Sequence, residues 1–170
     1  MKRLLAGIGA VVCLAASLAA ASPTTPAAPP VLRMAGKPDK PVTPEALLGN
    51  DQRDVRVEST EGDVTIYHGL PLLEVLEKNG LDLKTMGGER ESAAMVVLAS
   101  ARDGYTVVFS IGELRAARAN PKVFLVSETA MDALPENQGP VRLIVLGDVI
   151  RSAYGLATIE LKALANNKKK

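Results

Sequence analysis

The segment 94–113, AMVVLASARDGYTVVFSIGE, specifies more of the fold than any other part of the chain. Two runs rich in β-branched and apolar residues flank Asp103-Gly104, a dipeptide typical of a tight hairpin turn. Alternate positions share one face of the second strand: Tyr105, Val107 and Phe109. Ser110-Ile-Gly-Glu113 has the form of a capping box, which predicts a helix from there to Asn120-Pro121.

Shorter periodic segments on both sides of this hairpin complete the pattern. Thr43-Pro44 resembles an N-cap with proline at the first helical position, and residues 70–80 carry the apolar face of a second helix. Alternating or continuous apolar runs predict strands at residues 31–34, 54–59, 63–67, 122–127, 141–146 and 156–161. We therefore expect an α+β fold, with a mixed, mainly antiparallel sheet or barrel-like core and two or three short helices.

The N-terminus predicts export. Met1-Lys-Arg is a basic start, residues 4–20 are apolar, and residues 18–21 have the small side chains of a cleavage site, so 1–21 form a predicted signal peptide. A membrane anchor and a lipoprotein modified at Cys13 are the alternatives. An Ala/Pro-rich linker (22–30), one domain (31–165) and a basic tail (166–170) follow. The mature protein is expected to be periplasmic or secreted, with no membrane attachment.

Composition excludes several function classes. The predicted signal carries two of the 20 basic residues and none of the 19 acidic ones, so the remainder has a net charge of −1 and no electrostatic basis for binding nucleic acid. Cys13 is the only cysteine, and His68 is the only histidine. Disulfides, thiol catalysis and zinc sites built from several His or Cys are therefore excluded from the mature chain.

Four segments in order resemble the sulfite-oxidase-like molybdopterin-binding domain. Residues 67–76 (YHGLPLLEVL) are similar to its Y-x-G-V-P-L-x-x-L-L motif, and residues 103–114 (DGYTVVFSIGEL) to D-G-Y-x-x-x-F-S-x-x-E-L. Residues 134–145 and 151–160 resemble its L-P-x-x-x-G-P-x-R-L-V-V strand and its closing R-S-x-K-W-x-x-x-I-E strand. The resemblance implies the fold of that domain, and molybdopterin as the cofactor.

Departures from the family pattern argue against an active molybdenum enzyme. The family's metal-ligating cysteine belongs to the region that is here 55–59, which offers only Ser59, a far weaker ligand than a thiolate. Tyr154-Gly155 replaces the closing Lys-Trp, which removes a cation from the pterin phosphate site. The N-terminus lacks the twin-arginine motif that export of a folded holoenzyme requires. We therefore expect no cofactor, with molybdopterin as the alternative.

Four residues are candidate ligand contacts, each with a structural alternative. His68 is either a single ligand or base, or a turn residue with local hydrogen bonds. Arg142, inside an apolar strand, either binds an anion or pairs internally with Asp148 or a glutamate. Arg151 and Ser152 either line the former cofactor cleft or form an exposed turn. No catalytic or metal-binding residue is predicted.

These observations favour an exported, non-catalytic binding module. It would hold a small anionic ligand or a periplasmic partner protein in the former cofactor cleft. Two alternatives stay open: a molybdopterin-dependent oxidoreductase with non-thiolate ligands, and a structural or interaction protein with no small ligand.

Overall fold

The structure is a computed structural model that describes residues 27–49, 51–85 and 89–164. Outside the described residues lie the predicted signal peptide, linker residues 22–26, residues 86–88 and the basic tail. No helix in the described ranges is long and apolar enough to cross a membrane.

Nine strands and four short helices make up the described chain. In order they are β1 (Val31–Met34), β2 (Lys40–Pro41), α1 (Pro44–Leu47), β3 (Arg53–Glu58), β4 (Val64–Pro71), α2 (Leu72–Lys78), α3 (Glu89–Ala93), β5 (Met95–Ala101), β6 (Thr106–Ser110), α4 (Ile111–Ala116), β7 (Val123–Thr129), β8 (Arg142–Val145) and β9 (Leu156–Ala163). The expected α+β class is confirmed.

The strands form two open sheets. The first has five strands in the order β2-β1-β9-β5-β6, and the second has four in the order β3-β4-β7-β8. Every pair is antiparallel except β1 with β9, which confirms a mixed, mainly antiparallel arrangement. The barrel-like alternative is wrong for the described chain, because each sheet keeps two edge strands and neither closes.

The β5–β6 hairpin and the helix after it follow the prediction at their centre and differ at their ends. Val107 and Phe109 are buried, whereas Tyr105 precedes β6 and is 41% exposed. The Ser110 hydroxyl accepts the backbone N–H of Glu113 at 2.9 Å, as the capping motif predicts. Helix α4 ends at Ala116, before the predicted end at Asn120. Beyond the C-cap, the backbone hydrogen bonds up to Asn120 join positions three apart, as in a 3₁₀ turn, and do not continue the α-helix.

Other boundaries also differ from the sequence expectation. Leu70 and Pro71 belong to β4, so α2 begins only at Leu72. Helix α3, which begins at Glu89, is not among the helices predicted from the sequence. This helix contacts α4, where Arg115 donates to the Ser92 hydroxyl at 3.0 Å. Tertiary contact therefore supports a helix too short to be stable alone.

The main core lies between the facing sides of the two sheets. It combines residues of both sheets with the apolar faces of α1, α2 and α4. A second, smaller cluster occupies the opposite face of the four-stranded sheet and contains Val55, Phe124, Val126 and Ile144. Side chains on neighbouring positions of a strand point to opposite faces, so β7 and β8 contribute to both clusters.

Candidate functional site

Arg142 lies at the start of β8, opposite Val126 of β7, and is only 8% exposed. Its Nη1 donates to the Tyr67 hydroxyl at 2.8 Å and to Oε1 of Gln138 at 3.2 Å. The guanidinium carbon is 4.2 Å from the centroid of the Tyr154 ring and 5.1 Å from that of the Tyr67 ring. Two tyrosines and an amide therefore surround this cation.

The surroundings of Arg142 supply no negative charge. In the described chain the guanidinium forms no ion pair with a carboxylate, and its buried Nε has no hydrogen-bond partner. The alternative of internal pairing with Asp148 or a glutamate is not found among the described residues: a carboxylate oxygen of Asp148 instead accepts the backbone N–H of Arg151 at 3.1 Å. Nη1 makes both of these hydrogen bonds, so among the described residues the side formed by Nε and Nη2 has no hydrogen-bond partner.

Arg151 lies in a different environment. Its two terminal nitrogens bind the two carboxylate oxygens of Glu113 at 2.8 and 3.3 Å, and Nη2 also donates to the carbonyl of Val108 at 3.0 Å. The guanidinium carbon lies 4.3 Å from the centroid of the Phe109 ring. The hydrogen bond to Glu113 raises the pKa of Arg151 above its ordinary value. This arginine is therefore already paired.

Ser152 has a structural role in the turn after β8. Its hydroxyl accepts the backbone N–H of Val145 at 2.9 Å and donates to the carbonyl of Asp148 at 3.2 Å. Both bonds lie within the turn that follows β8 and includes Arg151.

His68 lies within β4 and not in a turn. Its Nδ1 is 3.1 Å from Oε1 of Glu128 on β7, and its Nε2 is 3.4 Å from Oδ1 of Asp54 on β3. Two carboxylates make this an unfavourable position for an anion. Within the described residues, no group of three or more His, Cys, Asp or Glu side chains could hold a metal ion.

The four candidate residues thus occupy three separate environments. Tyr67, the partner of Arg142, directly precedes His68 on β4, and successive side chains of a strand point to opposite faces. Arg151 pairs with α4, away from both. The structure therefore brings Arg151 and Ser152 into one loop, but it does not unite them with His68 and Arg142 in one cleft.

The residues at the expected pterin and metal positions do not fit a molybdopterin site. The Ser59 hydroxyl accepts the backbone N–H groups of Glu61 and Asp63 at 3.2 and 3.1 Å, so it caps the β3–β4 turn. Arg151 and Pro71 line a common pocket at the other end of β4. The length of β4, seven residue steps, separates that pocket from the turn at Ser59. The expected pterin and metal positions are therefore roughly 23 Å apart.

The sequence alone did not predict that three other side chains contact Arg142. Tyr67 lies on β4, Gln138 in the β7–β8 connection and Tyr154 in the β8–β9 connection, and Tyr67 precedes Arg142 by 75 positions. The only local signal was an arginine within an apolar run.

No family model matches the chain, and no curated protein sequence matches it. The resemblance to the sulfite-oxidase-like domain stays a prediction, and the function has to be inferred from the geometry of the site.

Proposed function

We propose that the protein is an exported, non-catalytic binding module that holds a small oxyanion, a carboxylate or a phosphate, at Arg142. The observation that supports this proposal is a buried guanidinium that has no carboxylate partner in the described chain. A buried charge is costly unless it is paired and hydrogen-bonded. An oxyanion would supply the missing charge.

The free donors of Arg142 suit two oxygens of one anion. Nε and Nη2 lie side by side in the guanidinium plane, and a carboxylate or phosphate binds such a fork through two parallel hydrogen bonds. Tyr67 and Gln138 hold Nη1, which fixes the orientation of that plane. The Tyr154 ring covers one face of the guanidinium, and Tyr154 is 51% exposed, so this contact lies at the protein surface.

The same surroundings favour binding over catalysis. The groups in contact with the guanidinium are two tyrosines and one amide, and none of them is a base at neutral pH. His68 would be the obvious base, but its ring nitrogens face two carboxylates on the other side of β4. With the signal peptide predicted at residues 1–21, this module acts in the periplasm or outside the cell.

Thermal unfolding in the presence of acetate, benzoate or inorganic phosphate, each at matched ionic strength, tests the proposal. A ligand at a hundredfold excess over its Kd adds about 2.7 kcal/mol to stability, which corresponds to a rise in Tm of roughly 5–11 °C. We expect this rise in the wild type and in Arg56→Met, which loses an exposed guanidinium on β3. We expect no rise in Arg142→Met.

The outcomes separate the ligand classes. A rise with acetate and benzoate alone identifies a carboxylate, and a rise with phosphate alone identifies a phosphate. No rise with any of the three anions, or an equal rise in Arg142→Met, rejects the anion site.

A further inference from the structure

A pocket of about 270 Å³ lies where α2, α4 and the ends of β7 and β8 meet; we call it the α2–α4 pocket. Its apolar lining includes Leu73 on α2, Leu114 on α4, Val123 on β7 and Val145 on β8. All four side chains are largely buried, because they also contribute to the main core. The floor of the pocket is therefore apolar and continuous with the main core.

The charged side chains at the pocket are largely paired with one another. Glu113 binds Arg151 at 2.8 Å, and Glu77 binds Arg118 through two hydrogen bonds of 2.8 and 3.1 Å. A third lining carboxylate, Glu74, binds Arg53. A charged ligand would have to compete with these existing ion pairs.

The sign of the lining charge also disfavours an anion. The lining contains four carboxylates and three cations. The carboxylates belong to Glu74, Glu77, Glu113 and Asp148, and the cations to Arg118, Lys122 and Arg151. Arg53, which pairs with Glu74 from outside the lining, balances the fourth carboxylate, so an anion entering here would meet no net positive charge, unlike at Arg142.

From the apolar floor, the compensated rim and the volume, we infer that the α2–α4 pocket binds a small, uncharged, apolar molecule of about two fused rings. An apolar cavity of about 150 Å³ takes up one benzene molecule. The α2–α4 pocket has nearly twice that volume, which suits a bicyclic ring system. This proposal does not depend on the anion site at Arg142, because Arg142 does not line the α2–α4 pocket.

Indole is a suitable probe, because it is uncharged, bicyclic and soluble enough to titrate. We expect its addition to ¹⁵N-labelled protein to give saturable shifts in the amide resonances of Leu73, Leu114 and Val145. Arg142→Met should bind indole as the wild type does, since Arg142 does not line this pocket.

A matched pair of variants on one helix end locates the site. Ala117 lines the pocket and caps the C-terminus of α4, whereas its neighbour Ala116 is exposed and does not line it. Ala117→Leu adds three carbon atoms at the pocket wall, so indole affinity should fall at least tenfold. Ala116→Leu should leave the affinity unchanged.

Three results would overturn the inference. The first is the absence of saturable shifts with indole, and the second is wild-type affinity in Ala117→Leu. The third concerns charge: indole-3-acetate has the same ring system and a carboxylate, and binding tighter than that of indole would contradict an uncharged ligand. Because the shift map of the wild type locates the site by itself, the test does not depend on Ala117→Leu folding.

Discussion

Replacement of Gly69 by alanine tests how closely β4 and β7 approach each other. Gly69 lies opposite Val126, next to an irregularity in the β4–β7 register. A β-carbon on Gly69 would lie 2.0 Å from the carbonyl oxygen of Leu125 and 2.8 Å from the α-carbon of Val126. Both atoms belong to the backbone of the neighbouring strand, so no side-chain rotation relieves the contact.

The size of the effect follows from these distances. Ordinary carbon contacts begin near 3.4 Å, so β7 would have to move by roughly 1 Å or more within a close-packed sheet. Overpacking of a core costs about 1–3 kcal/mol and occasionally more. Because only backbone is available to yield, we expect about 3 kcal/mol for Gly69→Ala. For a chain of this length that loss lowers Tm by roughly 6–12 °C.

Gly112→Ala is the matched control. A β-carbon at Gly112, in helix α4, would meet Ala93 at 3.4 Å or more, which is an ordinary contact. Glycine within a helix costs about 0.5–1 kcal/mol relative to alanine, so this variant should be slightly more stable than the wild type. Urea and thermal unfolding followed by circular dichroism measure both. A loss below about 1 kcal/mol in Gly69→Ala, or equal losses in both variants, would refute the close-approach argument.

Two further predictions concern local polar contacts. Ser110→Ala should lower the free energy of unfolding in urea by about 1 kcal/mol, because it removes the 2.9 Å N-cap hydrogen bond. Thr43→Ala should lower it less, because its N-cap hydrogen bond is 3.4 Å long. A larger loss in Thr43→Ala than in Ser110→Ala would contradict this order. The hydrogen bond and charge of Lys78 lower the pKa of Asp51 below its ordinary 3.8. The Lys78–Asp51 pair therefore stabilises the fold fully above pH 3.8, and this contribution is lost as the pH falls through the lowered pKa. In Lys78→Met an NMR titration should show the pKa of Asp51 rising toward 3.8, and an unchanged value would argue against the contact.

Local periodicity predicted most strands of this fold but not all their partners. The β5–β6 hairpin was predictable because its turn and both strands lie in one segment. The parallel pairing of β1 with β9 joins opposite ends of the described chain, and alternation within a strand carries no information about such a partner. The two-residue strand β2 is too short to show a period, and helix α3 depends on its contact with α4.

The candidate site was predictable only at its centre. An arginine within the apolar run that forms β8 signals a buried charge, whatever the rest of the fold does. Which groups approach that charge depends on how distant segments meet, and this placed Tyr67 and Tyr154 there in place of an acid. The same applies to Arg151, whose partner Glu113 lies 38 positions away on α4.

The distribution of counter-ions is the strongest physical argument for a ligand at Arg142. Arg53, Arg118 and Arg151 each pair with a carboxylate, although all three are partly exposed to water and gain little from the pairing. Arg142 is far more buried, so a counter-ion would matter most there, yet in the described chain it has only neutral acceptors and two aromatic rings. Cation–π contacts of about 2 kcal/mol when desolvated offset part of the cost of burial but not the several kcal/mol of an unpaired ion. An external oxyanion on the free Nε–Nη2 side would restore at Arg142 the balance that Arg53, Arg118 and Arg151 obtain from the chain itself.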